Sequence, residues 1–218
     1  MTLRRYRCIF WGFFFSCFSF NLFGLKILPG FIALGIFAYG IYGLYSWRED
    51  ETYRAAAIAA AAAAMLDFFS TLFAWLDVSL PAYGYYIPLC VHCIALGCTF
   101  FLLFNGLQKL FCEQEGTFPR NAAVSCGHGQ YVLPVLYTLA IILYGTIMVL
   151  YADWREYLVI AAGILELCTD LYVLYLIAHL KAYLKYRRSE AGRPEAIPQQ
   201  EPTAFTDCPL DQPPENRP

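Results

Sequence analysis

The chain has 218 residues; 59% are hydrophobic and only 15% are charged, and mean hydropathy is +0.49. Soluble domains carry roughly 25% charged residues, so a water-soluble fold of this size is excluded and an integral membrane protein is expected. A net charge of −2 offers no field for nucleic acid, so no nucleic-acid partner is expected.

In chain order, Arg4, Arg5 and Arg7 precede an apolar run over 8–25. The start resembles a secretory signal, but no small-x-small cleavage pattern follows and a second run begins almost at once. Further runs cover 27–47, 55–76, 84–104, 131–151 and 157–180. Each approaches the roughly 20 residues that a spanning helix requires. The expectation is an all-α polytopic membrane helix bundle, six transmembrane helices arranged as three hairpins. Polar or turn-prone stretches separate the runs, the longest being a loop over 105–130.

The third run opens with near-continuous alanine from Ala55 to Ala64. Small residues let helices approach closely in lipid, and Gly35, Gly40 and Gly43 in the second run are the expected matching groove. From Ser189 the text becomes polar and acidic, punctuated by Pro194, Pro198, Pro202, Pro209, Pro213, Pro214 and Pro218. Such a segment cannot bury enough surface to fold. The expected domains are a transmembrane unit over 1–188 and a disordered tail over 189–218.

Cytoplasmic loops of membrane proteins are enriched in Lys and Arg. With the N-terminus inside, six crossings place all of the basic residues on the cytoplasmic side except Lys26 and Arg155. Both termini are therefore expected in the cytoplasm.

The opening hairpin "FWGFFFSCFSFNLFGLKILPGFIALGIFAYGIYGL" (10–44) resembles a group of small uncharacterised six-span membrane proteins of Firmicutes bacteria. Asn21, Ile27, Leu28, Pro29, Phe31 and Ile32 match the turn between their first two helices. "FFLLFNGLQKLFCEQE" (100–115) and "DLYVLYLIAHLKAYLKYRR" (170–188) are similar to the ends of their fourth and sixth helices. The resemblance spans Arg5 to Arg188. It implies six spans in a bacterial cytoplasmic membrane, and brings neither catalytic residues nor a substrate. Lys26 and Gly30 stand where that group carries acids, so any role of those acids is lost here.

Charges in hydrocarbon cost about 2.5–3.5 kcal/mol on insertion scales and usually face the bundle interior. The candidates inside the predicted spans are Asp67, His92, Glu166 and Asp170. Counting from the outer span ends at 1.5 Å per residue, Asp67, His92 and Glu166 share a level about 12–14 Å deep. Asp170 lies about 6 Å deeper, one helical turn further. Glu166 and Asp170 are expected to face spans three and four. Such a layer fits binding or movement of a small solute or cation. Equally, these groups could bond to neighbouring hydroxyls such as Ser70, Thr71 and Thr169 and only fasten helices together, as in a membrane scaffold or interaction protein.

"CVHC" (Cys90–Cys93) offers a third reading, a thiol oxidoreductase or half of a soft-metal site. A thioredoxin-like βαβ context and a second C-x-x-C are both missing. In the inner loop, Cys112, Glu113, Glu115, Cys126 and His128 are zinc-ligand types at a spacing that matches no finger, and "CGHG" (126–129) is read as a turn. The chain contains no P-loop, Rossmann or G-x-S-x-G pattern. No enzymatic activity, metal or cofactor is expected; the expected partners are the lipid bilayer and a small solute or cation, with protein partners and oligomeric state left open.

Overall fold

The computed structural model describes residues 3–17, 21–22, 25–26, 29–76, 82–113, 117–149 and 152–191. Six α-helices occupy nearly all of them: α1 (Leu3–Cys17), α2 (Gly30–Arg48), α3 (Glu51–Trp75), α4 (Ala82–Cys112), α5 (Thr117–Val149) and α6 (Ala152–Ala191). A two-residue ladder, β1 (Asn21–Leu22) against β2 (Leu25–Lys26), pairs antiparallel with Asn21 opposite Lys26. The predicted tail beyond Ala191 lies outside the described residues, and its first residues, Ser189 to Ala191, continue α6.

Five helices, α2 to α6, are long and apolar enough to cross a membrane. The exception is α1. The run expected as a helix over 8–25 is helical over Leu3–Cys17, and fifteen residues rise only about 22 Å. Ser19, Asn21 and Gly24 interrupt the run with poor helix formers.

A second correction concerns the loop predicted over 105–130. α4 continues to Cys112 and α5 already begins at Thr117, so "CGHG" is helix and not turn. An apolar stripe drives this. Leu107, Leu110, Phe111, Ala122, Ala123 and Cys126 are buried, while Lys109, Cys112, Arg120 and Asn121 point outward. The stripe recurs at helical spacing, and packing overrides the polar residues between its members.

Each helix packs on the next in chain order, and α6 returns to α1, so the six form a closed ring. Phe100 of α4 fills its centre. Its ring lies 5.2 Å from Phe13 of α1, 6.0 Å from Phe37 of α2 and 5.8 Å from Tyr137 of α5. Outward faces are apolar: Tyr39, Ile58, Ile94, Val135, Ile164 and Leu171 are exposed on five different helices. Water would penalise such a surface, whereas hydrocarbon does not.

Close approach between α1 and α2 depends on glycine. A methyl group on Gly12 would stand 2.5 Å from the Phe37 backbone nitrogen, and one on Gly40 would stand 2.7 Å from the Ile9 nitrogen. Gly43 receives Arg5, which donates to the Gly43 carbonyl at 3.0 Å and to Ser46 at 2.9 Å. Gly40 and Gly43 of α2 thus serve α1, while nothing lies within 4 Å of a methyl added at Gly35. They are not the matching surface for the alanine run, as expected above. The alanine run of α3 packs its own buried side, with Ala56, Ala60 and Ala63 fully enclosed, and α3 adjoins α2 and α4.

The tight α2–α3 connection is set by two residues. Glu49 adopts a left-handed conformation and closes α2, and Asp50 caps α3 by accepting the Thr52 amide at 2.8 Å. Burial would raise the Asp50 carboxyl, but its bonds to Thr52 and the charges of Lys109 and Arg48 outweigh burial and hold it below the ordinary value of 3.8. Prolines lie inside two helices, Pro88 in α4 and Pro134 in α5.

Two predictions follow from this packing. Gly12→Ala lowers thermal stability in detergent by about 1–3 kcal/mol, as overpacking does, whereas Gly35→Ala, with nothing within 4 Å of its added methyl, leaves it unchanged. Asp50→Ala costs about 1 kcal/mol at neutral pH, typical of a lost cap. Because the folded carboxyl titrates below its unfolded value, its contribution is complete above about pH 4–5 and fades as pH falls through the folded value. The gap between parent and Asp50→Ala melting temperatures should therefore close in acid.

Candidate functional site

One end of the ring is packed and the other holds a cavity of about 310 Å³ that takes lining residues from all six helices. The packed end gathers the basic residues that the structure describes there. Arg5 at the start of α1 meets the end of α2, and Arg48 at the end of α2 pairs with Glu113 just after α4. The Phe111 and Tyr183 rings, toward the ends of α4 and α6, pack tilted with centroids 5.0 Å apart. On α4 the side chains of Leu89, His92, Cys93 and Leu96 line the cavity, and the Phe100 ring one turn below Leu96 begins the solid core. The cavity is therefore blind toward the basic end.

Asp67, His92, Glu166 and Asp170 all line this one cavity. Asp67 projects from α3 against the first residue of α2: a methyl on Gly30 would sit 2.5 Å from Asp67 Oδ2. Helix N-termini carry partial positive charge, so the α2 start faces this carboxylate. His92 of α4 reaches the Ala63 carbonyl of α3 through Nδ1 at 3.3 Å. A carbonyl only accepts, so Nδ1 donates, and Nε2 of the neutral ring remains an acceptor.

Glu166 and Asp170 stand one turn apart on α6. The expected neighbours were spans three and four, but α6 packs on α5 and α1; the ring closes that way, and Asp67 and His92 lie on other walls of the cavity. The Tyr144 hydroxyl of α5 donates to Glu166 Oε2 at 3.0 Å. Glu166 is exposed at this seam while Asp170 is partly buried. Asp170 interacts with the Cys17 thiol of α1. The Thr169 hydroxyl donates to the Leu165 carbonyl of its own helix at 2.7 Å, so its proton is not given to a carboxylate.

The thiols separate. Cys93 is buried and faces the cavity, whereas Cys90 is not among the lining residues. Both are free thiols. At the basic end, Cys126 is buried in the core and Cys112 and His128 are exposed. Among the described residues no group of three or more His, Cys, Asp or Glu is placed to hold a metal ion.

No protein-family model, curated protein or solved structure matches this chain.

Sequence reasoning overlooked three lining residues, Cys17, Tyr137 and Tyr144. A signal existed for the tyrosines. Tyr137, Ala140 and Tyr144 recur at helical spacing on one face of α5, but tyrosine in a span reads first as an interfacial anchor. Cys17 gave no comparable signal.

A water-filled cavity predicts selective thiol chemistry. In single-cysteine variants, a small membrane-impermeant thiosulfonate should modify Cys93 at least tenfold faster than Cys98, which points outward on α4, or Cys126, which is enclosed. Equal rates at the three positions would show that water does not enter.

Proposed function

We propose that this is a six-span protein of a bacterial cytoplasmic membrane, arranged as three hairpins with both termini inside, that binds a small solute in the cavity. The orientation rests on the basic residues at the closed end, which would face the cytoplasm by the positive-inside rule. The cavity then opens outward. α1 is read as the sixth crossing, since it packs along α2 and α6 within the ring. The bacterial setting rests on the sequence resemblance alone.

One observation carries the reading. Ionisable side chains from three separate helices, joined by hydroxyls and a thiol from others, converge on a cavity within the size range of small-molecule sites. Movement of the solute across the bilayer requires the Phe100 core to part, so binding is the primary activity and transport would be coupled to a rearrangement. A second reading keeps one specific support. Tyr144 ties α5 to α6 through Glu166, and Asp67 abuts the start of α2, which is how polar groups hold a scaffold together.

The two readings separate in purified protein reconstituted in nanodiscs. A panel of small anionic, neutral and cationic solutes is screened by thermal shift against the parent, Asp67→Asn, His92→Ala, Glu166→Gln and Asp170→Asn. A binding site predicts at least one solute that stabilises the parent, by about 2.7 kcal/mol at a hundred times its Kd, and loses that effect in the variants. If no solute shifts the parent, while every variant melts earlier without ligand, the scaffold reading stands instead.

A further inference from the structure

Resting on the reading of the cavity as a solute site, we propose that its ligand is an organic cation: an ammonium group carried on a compact apolar body. The first reason is charge. Three carboxyl groups, those of Asp67, Glu166 and Asp170, line the cavity together with His92, and no Lys or Arg is among the described lining residues. Tyr144 gives Glu166 a hydrogen bond, but among the described residues no Lys or Arg side chain lines the cavity to balance the acids. Carboxylates without a counter-charge are costly away from bulk water, and a bound cation supplies that charge.

Size and geometry then decide what kind of cation. About 310 Å³ is large beside the roughly 30 Å³ that one water occupies, so a bare ion would leave most of the cavity unfilled. Metal ions also need several ligands converging within about 2.0–2.6 Å. No such grouping is present among the described residues; Asp67 of α3 and the Glu166–Asp170 pair of α6 stand on different walls.

The remaining wall selects the body of the ligand. Phe13 and Tyr137 lie beside Leu34, Leu96 and Leu136, and Phe13 and Tyr137 both pack on the Phe100 ring. Aromatic faces attract ammonium groups and accept apolar ones. The head group sits between the carboxylates, and the body rests toward the aromatic floor.

Three probes that share a benzyl body test this on the full chain in zwitterionic nanodiscs: benzyltrimethylammonium, its neutral carbon isostere neopentylbenzene, and phenylacetate as an anion. Sodium, potassium and magnesium chlorides are added separately at constant ionic strength. The expected result is that the ammonium probe raises the melting temperature with at least tenfold tighter apparent affinity than the neutral isostere. The anion and the three metal ions should give no shift. Glu166→Gln/Asp170→Asn should abolish the preference for charge, while Thr146→Val, at a hydroxyl outside the cavity that bonds only its own helix, retains it. Ligand-free melting curves and Cys93 labelling establish that each variant is folded with an open cavity. Equal binding of the neutral isostere, or binding of the anion, overturns the cation assignment and leaves the solute site standing. A shift with a metal salt alone overturns it in favour of an inorganic ion. Silence from every probe here and from the wider solute panel removes both the assignment and the site beneath it.

Discussion

Hydrocarbon offers no hydrogen-bonding partner, and nearly every choice in this structure answers that fact. Backbone groups close on themselves within six helices. Hydroxyl donors do the same on a smaller scale: Thr99, Ser125, Thr138, Thr146 and Thr169 each bond the carbonyl one turn earlier in their own helix. What cannot be satisfied locally turns inward, and outward faces are left to Ile, Val, Leu and Tyr. The cavity is where inward-turning ionisable groups accumulate. Three buried oxygens depart from the rule, since Tyr53 Oη, Gln108 Oε1 and Gln130 Oε1 have no partner among the described residues. Gly106 and Gly127 admit two of those side chains, as a methyl at either position would collide with Tyr53 or Gln108.

The ring is built unequally along its length. Toward the basic end, glycine and alanine let backbones meet, and Phe37, Phe100, Phe104 and Phe111 fill what remains. Toward the other end the same helices carry His, Asp, Glu, Ser and Cys, which cannot interdigitate as tightly, and a cavity results. Association in lipid relies on such packing more than on any apolar driving force. The solid half therefore supplies the cohesion that lets the polar half stay open.

Helix class and the apolar character of five spans were legible because the runs are long and their composition leaves no other solvent. Counting along straight rods predicts one level for Asp67, His92 and Glu166, and the structure places all three, with Asp170, on one cavity. Counting cannot say which helix neighbours which. That is why Glu166 was assigned to face α3 and α4 when its hydrogen-bond partner is Tyr144 of α5, and why the α2 glycines were matched to the alanines of α3 when Gly40 and Gly43 receive α1. Loop length failed for another reason. Lys109, Arg120 and Asn121 look like surface, and they are, but on the outer side of helices whose inner stripe continues unbroken.

Pro88 and Pro134 have a mechanical consequence. A proline removes one rung of the helical ladder, and in α5 the Gln130 carbonyl loses its donor for that reason. Pro134 opposes Gly97 of α4, where an added methyl would stand only 3.8 Å from the proline Cα. Both prolines fall beside cavity-lining residues, Leu89 in one helix and Leu136 in the other. Any bending of α4 and α5 at these missing rungs would therefore act at the height of the chamber and move its walls, not the aromatic half below.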